Sequence, residues 1–401
     1  MFRRKSIRHG HATIAVVVLP ALTLFMTAAD ARAQSRVPGL DLRANLGLGH
    51  DTNSFREATT ADPGTFFPYD IRARYETPLG QKSTWSLGVK ASGEEYVGEV
   101  SDGGERNFDL GTEWSLRLLG DGRRHSDRPT LRVAAHGAFE INRRKYISRA
   151  DGEEYTVDFQ GVPMPLGDRY NSRDLQTGTE IALEWPRDTE WSVLYDLRHR
   201  NYDEDYTDIT DVDRLDNRRS KAEFRVTRDL GRPLRLRAEY SYEITDYYDR
   251  PVRDLQGDQV QGVAQSFYRN SWSGQVRWRA GRSMHASLEA GWAVRRDPYQ
   301  GYYDSQEWSI EPQLQFDATP RLEIQMGYGY VHRTYERARV AFDALQPLRD
   351  DREHELSMET SYQLNPRSAV FFVVEHDAVD EMNPIYSYDR TRSWAGYQLR
   401  Y

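Results

Sequence analysis

Hydrophobic and polar residues alternate one for one along most of this chain. In 41–50, Leu42, Ala44, Leu46 and Leu48 alternate with Asp41, Arg43, Asn45 and glycines. In 69–76, Tyr69, Ile71, Ala73 and Tyr75 alternate with Asp70, Arg72, Arg74 and Glu76. Trp85, Leu87, Val89 and Ala91 then oppose Ser86, Gly88 and Lys90, and Phe108, Leu110, Trp114, Leu116 and Leu118 oppose Asp109, Glu113 and Arg117. A sustained period of two belongs to a β-strand with two unlike faces, because successive side chains point to opposite sides. The same pattern predicts strands near 131–142, 173–185, 190–200, 218–228, 234–245, 268–279, 283–294, 306–316, 321–331, 353–363, 368–376 and 389–401. That makes about sixteen strands in all. In 369–376, AVFFVVEH is apolar on both parities, so the pattern does not say which face points where.

The connections alternate as well. Short ones such as 78–83, 186–189, 230–233, 280–282, 317–320 and 365–368 carry the Gly, Pro, Asn and Asp of tight turns. Long ones fall near 52–66, 93–106, 146–171, 201–217, 246–266, 296–304, 333–351 and 377–387. An even number of antiparallel strands, with short turns at one end and long loops at the other, predicts an all-β, up-and-down transmembrane β-barrel with short periplasmic turns and long extracellular loops. A sheet that crosses a bilayer must close, since no water is there to satisfy its edges. Only one parity of each strand then needs to be apolar. A soluble β-sandwich would also alternate, but it has no reason to alternate short and long connections.

Composition fits that reading once the period is known. Hydrophobic residues make up 38% and charged residues 29%, which without the period would suggest a polar or disordered chain. There are no cysteines, which excludes a disulfide framework and thiolate metal sites. Residues 1–33 run from a basic MFRRKSIRHGH through an apolar ATIAVVVLPALTLFMTAA to small residues ending at Ala33. This is the pattern of a secretory signal peptide; a retained anchor helix is the alternative. The expected mature chain, 34–401, is a single barrel domain. The net charge of −8 and the lack of a basic tail argue against nucleic acid as a partner.

Trp85, Trp114, Trp185, Trp191, Trp278 and Trp292 share the apolar parity, as interfacial girdles require. Tyr202, Tyr206, Tyr247, Tyr248, Tyr299, Tyr302, Tyr303 and Tyr335 lie in or beside long loops, where they either stack on sugars or pack the loops. The final strand carries Ala395, Tyr397, Leu399 and Tyr401 on one face, while Trp394 interrupts its charged face. This strand resembles the terminal assembly signal of Gram-negative outer-membrane β-barrels, with Tyr397, Leu399 and Tyr401 in that role. The last hairpin, LNPRSAVFFVVEH followed by YSYDRTRSWAGYQLRY, is similar to the end of β-barrel porins associated with polysaccharide gene clusters. The resemblance implies a porin-like outer-membrane protein that passes solutes or polysaccharide. It also implies outer-membrane lipid, lipopolysaccharide and the barrel assembly machinery as partners, and a homo-oligomer as one possible state. Saccharides and other small polar solutes are the expected cargo, a non-conducting or accessory barrel in polysaccharide export or assembly is the alternative, and an outer-membrane enzyme is the third reading.

Inward parity decides what such a lumen passes. The strands at 389–401, 41–50, 69–76 and 84–91 lean positive, with Arg390, Arg392, Arg400, Arg43, Arg72, Arg74 and Lys90. Strands between 108 and 200 lean negative, with Glu113, Glu140, Glu180 and Glu184. Those between 218 and 279 are positive again, with Arg225, Arg235, Arg237 and Arg277. Beyond them Glu307, Glu311, Glu355 and Glu359 form a second acidic stretch. Closure would set two basic walls against each other with acidic walls between. Either a transverse field crosses an open lumen, or neighbouring charges pair into ladders that nearly seal it. The longest loop, 146–171, with VPMPL at 162–166, either folds into the pore or stays on the surface.

No phosphate-binding loop, HExxH helix or G-x-S-x-G elbow occurs, so no catalytic, metal or cofactor site is expected. His136 and His285 have inward parity; His199, His332 and His376 are expected near a rim. The carboxylates of 202–213 lack the glycine and terminal Glu of a calcium hand and read as a solvated loop.

Overall fold

The computed structural model describes residues 39–53, 63–97, 104–119, 129–144, 156–159, 162–165, 170–185, 188–203, 215–231, 233–339, 346–381 and 387–401. The predicted signal segment lies outside them. So do Tyr206 and most of the acidic stretch 202–213.

The first half holds β1 (Leu40–Asp51), β2 (Gly64–Pro78), β3 (Ser83–Val97), β4 (Glu105–Leu119), β5 (Thr130–Arg144), β6 (Thr156–Phe159), β7 (Val162–Pro165), β8 (Ser172–Trp185) and β9 (Thr189–Tyr202). The second holds β10 (Asn217–Asp229), β11 (Leu234–Arg253), β12 (Gln259–Ala280), β13 (Met284–Arg296), β14 (Ser305–Thr319), β15 (Leu322–Arg339), β16 (Leu348–Asn365), β17 (Ser368–Glu381) and β18 (Tyr388–Arg400). Sixteen of them form one closed antiparallel barrel, and β6 and β7 pair with each other as a separate two-stranded sheet. That small sheet lies within 146–171. The side chains of VPMPL, and with them the question of an inward fold, fall outside the described residues.

Closure is made by β1 and β18, from Arg43 opposite Arg400 to Asp51 opposite Arg392. Tyr401 continues the ladder: its amide donates to the Leu42 carbonyl at 2.8 Å, and the Leu42 amide donates to the Tyr401 carbonyl at 3.1 Å. No strand edge remains in the barrel, which is what a lipid environment demands. The short turns are shaped by glycine where the backbone needs positive φ, at Gly231 (83°) and Gly281 (75°).

The strands run longer than alternation suggested. The loop expected at 246–266 is a hairpin, because β11 continues to Arg253 and β12 begins at Gln259. Its register breaks between Asp246 and Val252. Here the two-residue period fades while ladder hydrogen bonds persist, since above a bilayer nothing requires one face to be apolar. The interval 333–351 behaves similarly, with β15 reaching Arg339 and β16 starting at Leu348.

Candidate functional site

Exposure separates the two parities. Leu48, Tyr75, Leu87, Trp114, Ile181, Trp191, Phe224, Trp272, Trp292, Leu356 and Phe372 are exposed, each on the apolar parity of its strand. In a closed barrel that face is the outer one. Trp272 and Trp292 stack there at 4.9 Å between centroids. Such an apolar, aromatic exterior on an edgeless antiparallel barrel suits hydrocarbon and its interfaces rather than water. The chain forms a closed antiparallel β-barrel with the outer face of a membrane-spanning one.

The opposite parity lines the lumen, and register decides which charges meet. At the seam, Asp51 is fully buried and Arg390 nearly so. Arg390 donates to Asp51 Oδ2 through Nη2 (2.5 Å) and Nε (2.9 Å), and Tyr96 donates to the same oxygen at 2.6 Å. Arg392 bridges Glu94 (2.8 Å) and Glu375 (2.5 Å). Phe66 packs between Tyr96 and Trp394. It can do so because Gly49 lies beneath: a Cβ there would stand 2.6 Å from Trp394 Cβ and 2.7 Å from the Phe66 ring. The tryptophan that interrupts the charged face of β18 is thus part of an apolar inlay in the inner wall.

The remaining predicted residues are placed as follows. Arg43 pairs with Asp41 at 3.0 Å and Arg72 with Asp70 at 2.6 Å. Lys90 lies 3.9 Å from both Asp70 and Asp109. Arg74 reaches Glu76 (3.4 Å) and Glu113 (4.0 Å). Glu140 meets Arg198 at 2.8 Å, beside a buried Asp174 that also holds Arg200 at 2.8 Å. Glu180 meets Arg132 at 3.2 Å, and Glu184 stands opposite Glu190. A ladder crosses β10 to β13: Lys221 and Arg225 on Glu223, Arg225 on Glu239 (3.2 Å), and Arg237 between Glu239 (3.5 Å) and Glu289 (3.7 Å). Glu307 is shared by Arg269 and Arg333, each at 2.6 Å. Arg235 has Asp229 at 3.5 Å. Arg277, Arg400, Glu311, Glu355 and Glu359 form no ion pair among the described residues.

Each stretch of one sign therefore contains its own counter-charges: Asp51, Asp70 and Glu94 among the first arginines, Arg132, Arg198 and Arg200 among the first carboxylates, Glu223 and Glu239 among the second arginines. Asp70 with Arg72, and Glu223 with Lys221 and Arg225, pair two residues apart along one strand, whereas the partners of Asp51, Glu94, Arg132, Arg198 and Arg200 lie on other strands at registers that alternation does not specify. The one hint was parity, since each of these residues also points inward.

The long-loop end is filled on one side. Phe267, Tyr302, Tyr303, Tyr335 and Ala338 form a buried cluster, and Tyr247 packs against it. Arg295 lies over Phe267 at 4.8 Å and Arg349 over Tyr335 at 4.7 Å. The loop after β13 is tied by Asp304, which accepts from the Asp297 amide at 2.7 Å. Of the two roles open to the loop tyrosines, Tyr302, Tyr303 and Tyr335 take packing, because they are buried; Tyr248 and Tyr299 remain exposed. His199 meets Tyr248 and His332 meets Asp350 on the outer parity, whereas His136 meets Asp196 at 2.7 Å inside.

No protein-family model and no curated protein matches this sequence. Solved structures do resemble the fold. OmpT of Vibrio cholerae is 11% identical, with 92% of this chain and 99% of that chain covered and a TM-score of 0.44. An anion-selective porin from Comamonas acidovorans is 12% identical, with coverage of 90% and 98% and a TM-score of 0.46. Pseudomonas aeruginosa OccK2, solved with glucuronate, is 14% identical, with coverage of 90% and 98% and a TM-score of 0.43.

Proposed function

We propose that this barrel is a channel for the passive passage of small polar solutes, saccharides among them, and that it needs neither cofactor nor metal. One observation carries the reading: part of the inner wall is left low and polar. On β12 to β16 the inward positions include Ser271, Ser273, Gly291, Ser309, Gly327, Gly329 and Ser357, small residues grouped on neighbouring strands. Below them a cavity of about 1430 Å³ opens toward the short turns. A lumen meant only to be solid would be filled with side chains. Hydroxyls and backbone along such a trough suit hydroxylated solutes. Reconstitution in planar bilayers tests the reading: discrete conductance steps are expected, and a flat baseline would refute it. Liposome swelling with a panel of sugars then ranks the solutes.

The second reading is an accessory, non-conducting barrel in envelope polysaccharide export or assembly. It draws on the ion-pair ladders and on the aromatic cluster at the long-loop end, both of which narrow the lumen. Conductance separates the two. Under either reading lipopolysaccharide and the assembly machinery are the expected envelope partners, and a homo-oligomer is tested by crosslinking in native membranes.

A further inference from the structure

Within that cavity arginines of neighbouring strands gather without an ion pair to hold Arg277 or Arg279 among the described residues. Arg277 on β12 stands directly opposite Arg235 on β11 and directly opposite Ser287 on β13, so neither adjacent rung offers it a carboxylate. Arg279, two residues on, faces His285. Like charges set directly across a ladder destabilise it, and the nearby ladder avoids this: Arg225 has Glu239 as its rung partner. Arg235, Arg277, Arg279 and Arg282 all line the cavity. Four carboxylates line it too: Asp188 just before β9, Asp229, engaged by Arg235 at 3.5 Å, Glu375, engaged by Arg392 at 2.5 Å, and Glu359. Glu359 lies on β16, four strands away from β12. Arg277 and Arg279 therefore line the cavity with no ion pair of their own among the described residues.

On the strands between, the residues that line the cavity include no carboxylate and are rich in hydrogen-bonding groups, with Glu311 and Glu323 standing beside them. Gln313, Gln315 and Gln325 line the cavity beside Ser287. Gln315 donates its amide to Glu323 at 3.0 Å and Gln313 donates to Glu311 at 2.6 Å, while Gln325 also donates to Glu323. With those nitrogens held by carboxylates, the amide oxygens are left as oriented acceptors.

We propose that this vestibule is a subsite for small hydroxylated monoanions of the sugar-acid class. Arg277 and Arg279 hold the carboxylate, the glutamine oxygens accept from hydroxyls, and Glu359 repels the anion from the far wall and so orients the solute. The proposal deepens the channel reading, but it is tested by binding, which does not depend on conduction. Titration calorimetry on the full-length barrel in detergent compares galacturonate with galactose, which carries a neutral hydroxymethyl group in place of the carboxylate. Galacturonate is expected to bind about tenfold tighter, as charge-assisted contacts imply. R277Q/R279Q abolishes the preference, Arg277→Lys keeps part of it, and Arg321→Gln, a turn arginine at the same end outside the cavity, keeps all of it. Equal affinities for the two sugars overturn the subsite, and so does a preference that survives R277Q/R279Q or is lost equally in Arg321→Gln. Conductance steps without the preference would leave a channel and remove the subsite; the preference without steps would do the reverse.

Discussion

Arg390 on β18 and Arg277 on β12 are both inward-facing arginines, near opposite ends of the barrel, yet they do opposite things. Arg390 is only 4% exposed and shares its carboxylate partner with a tyrosine beside the seam. Arg277 is exposed, faces another arginine across its ladder, and lines a cavity. The first closes the barrel. The second is left available to a solute. The difference shows that charge in this lumen takes its meaning from register rather than from residue type.

That contrast can be broken most severely at the seam. Asp51→Ala strands Arg390 without its carboxylate, and removing one partner of a buried pair costs about 3–5 kcal/mol. Urea unfolding of the reconstituted barrel should show a loss of that size, whereas Arg277→Ala should stay within about 0.5 kcal/mol of the parent. Equal losses would mean that the two arginines are not distinguished by burial. Gly49→Ala comes next. Its methyl would meet Trp394 and Phe66 at under 3 Å, and overpacking of this kind costs about 1–3 kcal/mol. The same unfolding measurement reads it, and Phe66→Leu in the same chain should recover part of the loss. Deleting Tyr401 removes two main-chain hydrogen bonds to Leu42, worth about 1 kcal/mol each, and should lower the yield of barrel inserted in the outer membrane. Normal yield would refute a role for Tyr401 in assembly. A small stability effect is also expected from Glu76→Gln, since both Glu76 and Arg74 are more than half exposed and such pairs contribute about 0–1 kcal/mol. A last comparison concerns the longest loop. Removing 152–168 raises conductance if that loop narrows the pore and leaves it unchanged if the loop stays outside.

Much of this was legible in advance. The alternation at 41–50 and 69–76 stated both the strands and their facing, because a closed sheet in lipid admits only one arrangement of apolar and polar parities. Trp394 was visible as an exception, though its reason was not: the explanation needs Gly49 and Phe66 on two other strands. AVFFVVEH shows the limit of pattern reading. Phe371 and Val373 both belong to the inward parity of β17, with Phe371 beside Gly396 and Val373 lining the cavity, so an apolar run on two faces was an inner-wall inlay as well as an outer surface. The long loops were overestimated at 246–266 and 333–351, where hydrogen bonding outlasts the bilayer's demand for alternation.

Local pattern alone determined that this chain forms paired strands, that the sheet is antiparallel with unequal ends, and that its charges point inward, since each follows from a period of two under the constraint of lipid. Tertiary structure alone decided which charges meet. Asp51 finds Arg390 more than three hundred residues away, and Arg277 finds Arg235 on one side and Ser287 on the other, because pairing across a barrel is set by the relative sliding of whole strands, a quantity no short stretch of sequence contains.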